Sequence, residues 1–331
     1  MKSTKIILAL VAAGAAIALT QQANAQYTLQ GNYLEVGVGY DGSIINPNDN
    51  SAPDNYNQSG DGQAFYMHPG IIWNGAGTGF SGAYANNDFI TPGTPYQMFS
   101  IGVNGSYAAA GYNNTYGYGD GAPRLTGGTT IQTGPLSTLT TGSYAGLNYS
   151  QTLSFTAGSS VIHFAMTLNN PTASPISGVA FATGLDPDPD VFQYEDTVAG
   201  SLTDVYNTIN SIVSPGIVSA TGPLTGNTII IQGVTGGGVA DVYASWPDDN
   251  PYNLLSGVNN GNGDYSIGDA WSLGTLGAGD SVTIDYNYII NATPVTSTSP
   301  ILTGVPDGAS TLGLLGLALT GLGLIRRKMK V

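Results

Sequence analysis

Apolar side chains recur at every second position through much of residues 26–291, and that period sets the first expectation. In Leu147 to Thr156 (LNYSQTLSFT), Leu147, Tyr149, Leu153 and Phe155 share one face, and Asn148, Ser150, Thr152 and Ser154 share the other. In Val161 to Leu168 (VIHFAMTL), Ile162, Phe164, Met166 and Leu168 line up, and the intervening Ala157-Gly158-Ser159-Ser160 reads as a hairpin connection. Ser281 to Ile290 (SVTIDYNYII) stacks Val282, Ile284, Tyr286, Tyr288 and Ile290. A two-residue period with one wet face predicts antiparallel sheet. Further strands are predicted over Tyr33–Val38, Ala64–Trp73, Met98–Val103, Val179–Thr183, Asn227–Gln232 and Val239–Ser245. No sustained helical period competes with them. Many short strands separated by Gly, Asn and Pro turns predict an all-β fold, an antiparallel β-sandwich. It is either one large two-layer sandwich or two adjacent ones, because residues 26–145 are rich in Gly, Asn and Tyr with weak alternation, whereas 146–291 alternate cleanly.

The two ends follow other patterns. Residues 1–25 carry Lys2 and Lys5, then an apolar run from Ile6 to Leu19, then Ala23-Asn24-Ala25. A positive start, a short apolar stretch and a small-residue cleavage site make a secretory signal peptide, with the mature chain starting at Gln26. After a polar spacer over 292–304, residues 305–331 open with Val305, Pro306 and Asp307, become apolar from about Leu312 to Ile325, and end in Arg326, Arg327, Lys328 and Lys330. As a helix, Ala309 to Ile325 would span about 25 Å against a hydrocarbon core of about 30 Å, a short anchor. The basic cluster keeps the last residues cytoplasmic and the rest of the chain outside.

This tripartite tail resembles the PEP-CTERM class of sorting signal, in the variant that opens Val-Pro-Asp. Val305, Pro306 and Asp307 match the motif, Ser310-Thr311 its small polar stretch, and Leu312 to Lys328 its single transmembrane helix and basic stop, Arg326, Arg327 and Lys328. Gly308-Ala309 stand where the variant usually has Ser-Gly. The resemblance implies export, transient anchoring in the inner membrane, removal of the tail by an exosortase-type enzyme, and residence at the surface or in the matrix of a Gram-negative, exopolysaccharide-making bacterium. A second resemblance, over Leu168-Asn169-Asn170-Pro171 and Ile176 to Asp190, is to a β-sandwich segment common in bacterial surface proteins, and implies no activity.

Charge then narrows the function. Without the two terminal signals, 20 of the 21 acidic residues remain but Arg124 is the only cation left of seven, a net charge near −19. Such a chain can present no basic patch, which excludes nucleic acid and anionic lipid as partners. It can build no network of ion pairs, and its carboxylates repel one another at low salt. The absence of Cys excludes disulfides and thiolate metal sites. Gly and Pro together, 48 and 18 residues, make up about one residue in five, below the range of disordered low-complexity chains.

Three local patterns bear on chemistry. Asp186-Pro187-Asp188-Pro189-Asp190 would place three carboxylates on one side of an extended chain, about 7 Å apart. The prolines cannot donate to a ladder, so the segment is expected at an edge or in a solvated loop, where oxygen-only donors suit Ca2+. Asn260, Asn262 and Asp264 begin like an EF-hand loop, but Tyr265 replaces its glycine and Trp271 its final Glu. Tyr107, Tyr112, Tyr116 and Tyr118 lie among Gly and Asn in a stretch read as a loop, where they either stack on sugar rings or anchor the loop to a sheet. The two histidines, His68 and His163, read as a turn residue and a solvent-facing strand position, and no nucleophile elbow, zinc-protease motif or phosphate loop occurs. Glu35 or Glu195 could pair with an Asp as in a glycosidase. Together these features predict an exported, non-enzymatic surface or matrix protein associated with extracellular polysaccharide. The alternative is a secreted carbohydrate-binding or carbohydrate-active sandwich, cleaving or isomerising glycosides.

Overall fold

The structure, a computed structural model, describes residues 26–45, 69–80, 87–91, 96–113, 117–118, 123–190, 206–244 and 248–291. The signal peptide, the spacer, the sorting tail, His68, Tyr116 and Glu195 lie outside them. In chain order the first strands are β1 (Tyr27–Gln30), β2 (Leu34–Val38), β3 (Ile71–Trp73), β4 (Asn87–Asp88), β5 (Tyr96–Val103), β6 (Ser106–Asn113) and β7 (Gly117–Tyr118). A central group follows: β8 (Thr129–Gly134), β9 (Ser137–Tyr144), β10 (Leu147–Ser154), β11 (Val161–Asn169) and β12 (Ile176–Leu185). The last are β13 (Ile209–Ser214), β14 (Ile217–Thr221), β15 (Thr228–Gly233), β16 (Gly238–Tyr243), β17 (Ser266–Leu276) and β18 (Ser281–Ile290), with one turn of helix, α1 (Pro251–Leu254), before β17.

Every pair of these strands is antiparallel, as the alternation predicts. An eight-stranded sheet runs β13-β14-β15-β18-β11-β10-β9-β8, a six-stranded sheet β16-β17-β12-β5-β6-β7, and a small sheet β1-β2-β3-β4. Strands from before and after residue 145 thus share both large sheets. The faces assigned from sequence hold: Ile162, Phe164, Met166 and Leu168 of β11 are buried in the core with Ile284, Tyr286, Tyr288 and Ile290 of β18. Phe164 stacks on Tyr286 at 4.7 Å, and Phe181 and Trp271 of the six-stranded sheet meet Tyr286 at 5.8 and 6.0 Å. The core is therefore the aromatic and aliphatic layer between the two large sheets.

Polar groups cross that layer in a satisfied network. The Thr183 and Tyr288 hydroxyls lie 2.6 Å apart, Gln97 donates to Tyr288 Oη and accepts from Ile44 N, and Tyr286 donates to Gln151 Oε1. Burial pushes the Tyr288 phenol up to about 12, so it remains a neutral hydrogen-bonding group throughout the physiological range.

The outer face of the six-stranded sheet is carved from small residues. A Cβ at Gly102 would lie 2.7 Å from the Tyr252 ring, and one at Gly268 would lie 2.7 Å from Leu254 Cδ2. Into this space settles the segment carrying α1. Leu254 packs with Tyr96, Met98, Ala182 and Ala270 in a second, smaller core. The Tyr252 hydroxyl donates to Gly178 O at 2.6 Å and accepts from Gly105 N at 3.1 Å. Asn250 caps α1 by accepting from Tyr252 N.

Candidate functional site

The Asp-Pro-Asp-Pro-Asp segment departs from expectation in one respect: it is not a solvated turn. Asp186, Asp188 and Asp190 are 3%, 1% and 0% exposed. The reason is that each backbone or side chain is drawn into a different part of the fold. Asp186 N donates to Tyr96 O and Asp188 N to Phe89 O, which stitches the segment against β5 and the small sheet. The Asp190 carboxylate turns to the loop after β14, accepting from Leu224 N at 2.8 Å, Thr225 N at 2.9 Å and the Thr225 hydroxyl. Gly222 makes room for it, since a Cβ there would fall 2.1 Å from Asp190 Oδ1. Among the described residues, no group of three or more His, Asp or Glu side chains is disposed to hold a metal ion.

Asp186 has a different neighbour, Asp264, from the segment that begins like an EF-hand loop. Asp186 keeps one buried oxygen, Oδ1, without a hydrogen bond. Burial and then the nearby Asp264 charge push its pKa well above the carboxylate range, and burial raises Asp264 as well. The rest of that loop is committed to structure: Asn262 Oδ1 accepts from Asn210 N, and Asn259 Oδ1 from Gly261 N.

The tyrosine-rich stretch is also not the loop expected for it. Residues 106–113 form β6, paired with β5 through a two-residue turn, Asn104-Gly105, whose φ values of 52° and 82° fit the I′ geometry. Tyr107 pairs with Gly102, and Tyr112 with Tyr118 of β7. His163 faces outward on β11 as expected, 3.6 Å from Asp285.

Sequence reasoning missed the acidic residues placed inside strands. Asp241 of β16 is 0% exposed; its Oδ2 accepts from Val258 N at 2.9 Å, while Oδ1 has no hydrogen bond. Burial, augmented by the Asp248 charge, pushes it up to about 7. It lines a recess with Asp248, Tyr243, Tyr96 and Ser266, under the α1 segment. Asp248 accepts from Asn250 N and Asn253 Nδ2, and Tyr96 donates to Asp249 at 2.7 Å. The recess encloses about 210 Å3 even counting the solvent at its mouth, below the roughly 300–1,000 Å3 of small-molecule sites. Asp269 of β17 is buried on the inner face, surrounded by Gly216, Gly233 and Gly238, with the Ala270 backbone N–H alone to favour its charged form. Burial pushes it up to about 8, so it is largely protonated at neutral pH. The signal for both was an Asp inside an apolar strand pattern, where Asp is disfavoured.

Residues 304–329 match the VPDSG-CTERM motif, a sorting signal of the PEP-CTERM class. The chain is thus an exported protein that passes through a membrane toward the surface, its tail a substrate for an exosortase-like enzyme. No curated protein matches it in sequence. Among solved structures it is similar to an aldose 1-epimerase-type protein of Escherichia coli K12, at 13% identity and a TM-score of 0.38, covering 81% of this chain and 99% of that one. A galactose mutarotase-like protein of Lactobacillus casei gives 10% identity and 0.35, covering 80% and 100%. A TPR-domain protein of Parabacteroides distasonis gives 10% and 0.38, covering 86% and 56%. These likenesses assign no site to the chain.

Proposed function

We propose that this chain is a non-enzymatic structural protein of the extracellular matrix of a Gram-negative bacterium, delivered by its terminal signals and freed from the inner membrane by exosortase. The observation that carries the reading is the sorting motif over 304–329. The way the acids are used supports it. The carboxylates of Asp88, Asp190 and Asp280 accept backbone N–H groups and hold turns and strand ends in place. A net charge near −19 suits life in a hydrated polysaccharide, where it favours solubility and mutual repulsion. The test is genetic and biochemical. In a host lacking its exosortase, the full-tailed chain accumulates in the inner membrane and the matrix loses it. Incubated with host exopolysaccharide, the exported protein sediments with the polymer and releases no reducing ends. Release of reducing ends, or an anomeric exchange that the protein accelerates, would replace this reading with the carbohydrate-active one.

A further inference from the structure

The two large sheets close most of their edges with their own chain. At β16, Val242 N donates to Val258 O and Asn260 N to Val242 O. At β13, the preceding Thr208 exchanges backbone bonds with Gly263, and Asn210 N donates to Asn262 Oδ1. Beside the short β7, Pro123 and Leu125 bond to Ala109 of β6. The remaining edge is β8, the last strand of the eight-stranded sheet, and no described residue pairs with its outer side. Strands in this position usually carry Lys, Pro or an inward charge that stops another chain from adding to the ladder. β8 reads Thr-Thr-Ile-Gln-Thr-Gly, β-branched at four of its six positions, with neither charge nor proline. Its single irregularity is the register shift between Gln132 and Gly134. Next to this open backbone, Ile131 pairs with Leu139 on the outer face, and both are half-buried. Charge singles out the same part of the molecule. Residues 125–185 contain no Asp, Glu, Lys or Arg, although the mature chain carries 20 acids. Strands β8 to β11 all fall within that stretch, so the sheet face beside the open edge holds no carboxylate. A net charge near −19 sets copies of the chain against one another over the rest of the surface. Here two copies meet without that repulsion.

We propose that two copies of this chain join β8 edge to β8 edge, antiparallel about a two-fold axis, and continue the eight-stranded sheet from one copy into the other. The two-fold makes the pairing reciprocal, so each copy donates and accepts the same backbone bonds. The inference goes beyond the matrix role and does not depend on it. Six residues of edge bury less than the roughly 1,000 Å2 of a lasting interface, so the dimer forms in concentrated solution and dissociates on dilution. Sedimentation of the exported protein between about 10 μM and about 1 mM shows that shift. Ile131→Glu and Thr133→Glu each weaken the dimer by about tenfold or more, because each adds like charge at a pairing edge. Thr133 is exposed, so its variant keeps the fold, checked by near-ultraviolet circular dichroism, even where Ile131→Glu does not. Ile209→Glu, at an exposed position on β13, leaves the equilibrium unchanged. The chain has no Cys, so nitroxide labels can be placed singly. In the dimer, labels on Thr129→Cys or Thr133→Cys lie within about 25 Å of their counterparts. Labels on Ile209→Cys, seven strand spacings of about 4.8 Å from β8, stay more than about 50 Å apart. A chain still monomeric at about 1 mM overturns the pairing, as does a dimer that folded Thr133→Glu leaves intact or whose short distances fall at Ile209. Exchange protection that added exopolysaccharide confers on the β8 amides of a monomeric chain assigns the edge to the polymer and equally overturns it.

Discussion

Asp190 and Asp269 are both buried aspartates, and what surrounds each decides its effect on the fold. Asp190 accepts three donors from Leu224 and Thr225, so removing it orphans a turn. Asp190→Ala is expected to cost about 2–3 kcal/mol, read as a lower urea midpoint at unchanged m. Asp269 has no such donors, and its proton is what makes burial tolerable. Its folded pKa of about 8 stands above the roughly 3.9 of an unfolded Asp. The folded chain therefore holds a proton that the unfolded chain has released. Stability falls as pH rises from about 4 to about 8, then levels off. Asp241, raised to about 7, adds in the same direction up to that pH. Urea titrations at pH 5 and pH 8 should show this loss, and Asp269→Asn should reduce it. An unchanged pH dependence in that variant would mean that Asp269 ionises freely in the folded state. Asp190 stood out in the sequence within Asp-Pro-Asp-Pro-Asp, whereas Asp241 and Asp269 left only the weak signal of an Asp inside an apolar strand pattern. Isolated charges show their importance only when the strand's neighbours are known.

At the scale of elements, the sequence was most readable where aliphatic and aromatic residues alternate. Strand β18 was expected over Ser281–Ile290 and occurs there, and β10 and β11 match to within two residues. It was least readable in β8 and β9, TTIQTG and STLTTGSY. There Thr130, Thr138 and Thr140 fill the buried positions, so the inward face is not apolar and hydropathy does not register it. The Asn104-Gly105 turn was a usable signal for β6 that the abundance of Gly and Tyr obscured. The glycines of the outer sheet face have a purpose visible only with α1 in place. Gly268→Ala, at a backbone conformation that Ala tolerates, should drive a methyl into Leu254 and cost about 1–3 kcal/mol. Limited proteolysis should then cut first within 248–261. Gly158→Ala, which meets nothing within 4 Å, should stay within about 0.5 kcal/mol of the parent.

Over the whole molecule, the fold and the destination came from different parts of the chain. The alternating middle specified an all-β sandwich, and the described strands are that fold. Its two large sheets draw strands from both the Gly/Asn/Tyr-rich and the cleanly alternating stretches, an interleaving that no local pattern in the sequence encodes. The destination was readable because a sorting signal must present its chemistry locally, as a motif, an apolar run and a basic stop in sequence order. The role at the surface rests on that signal, which makes the fate of the tail the most direct test. Intact-mass spectrometry of the protein recovered from the cell surface or matrix should find a chain that begins at Gln26 and lacks the apolar and basic segment from Leu312 onward. A surface-recovered chain still ending at Val331 would contradict the account.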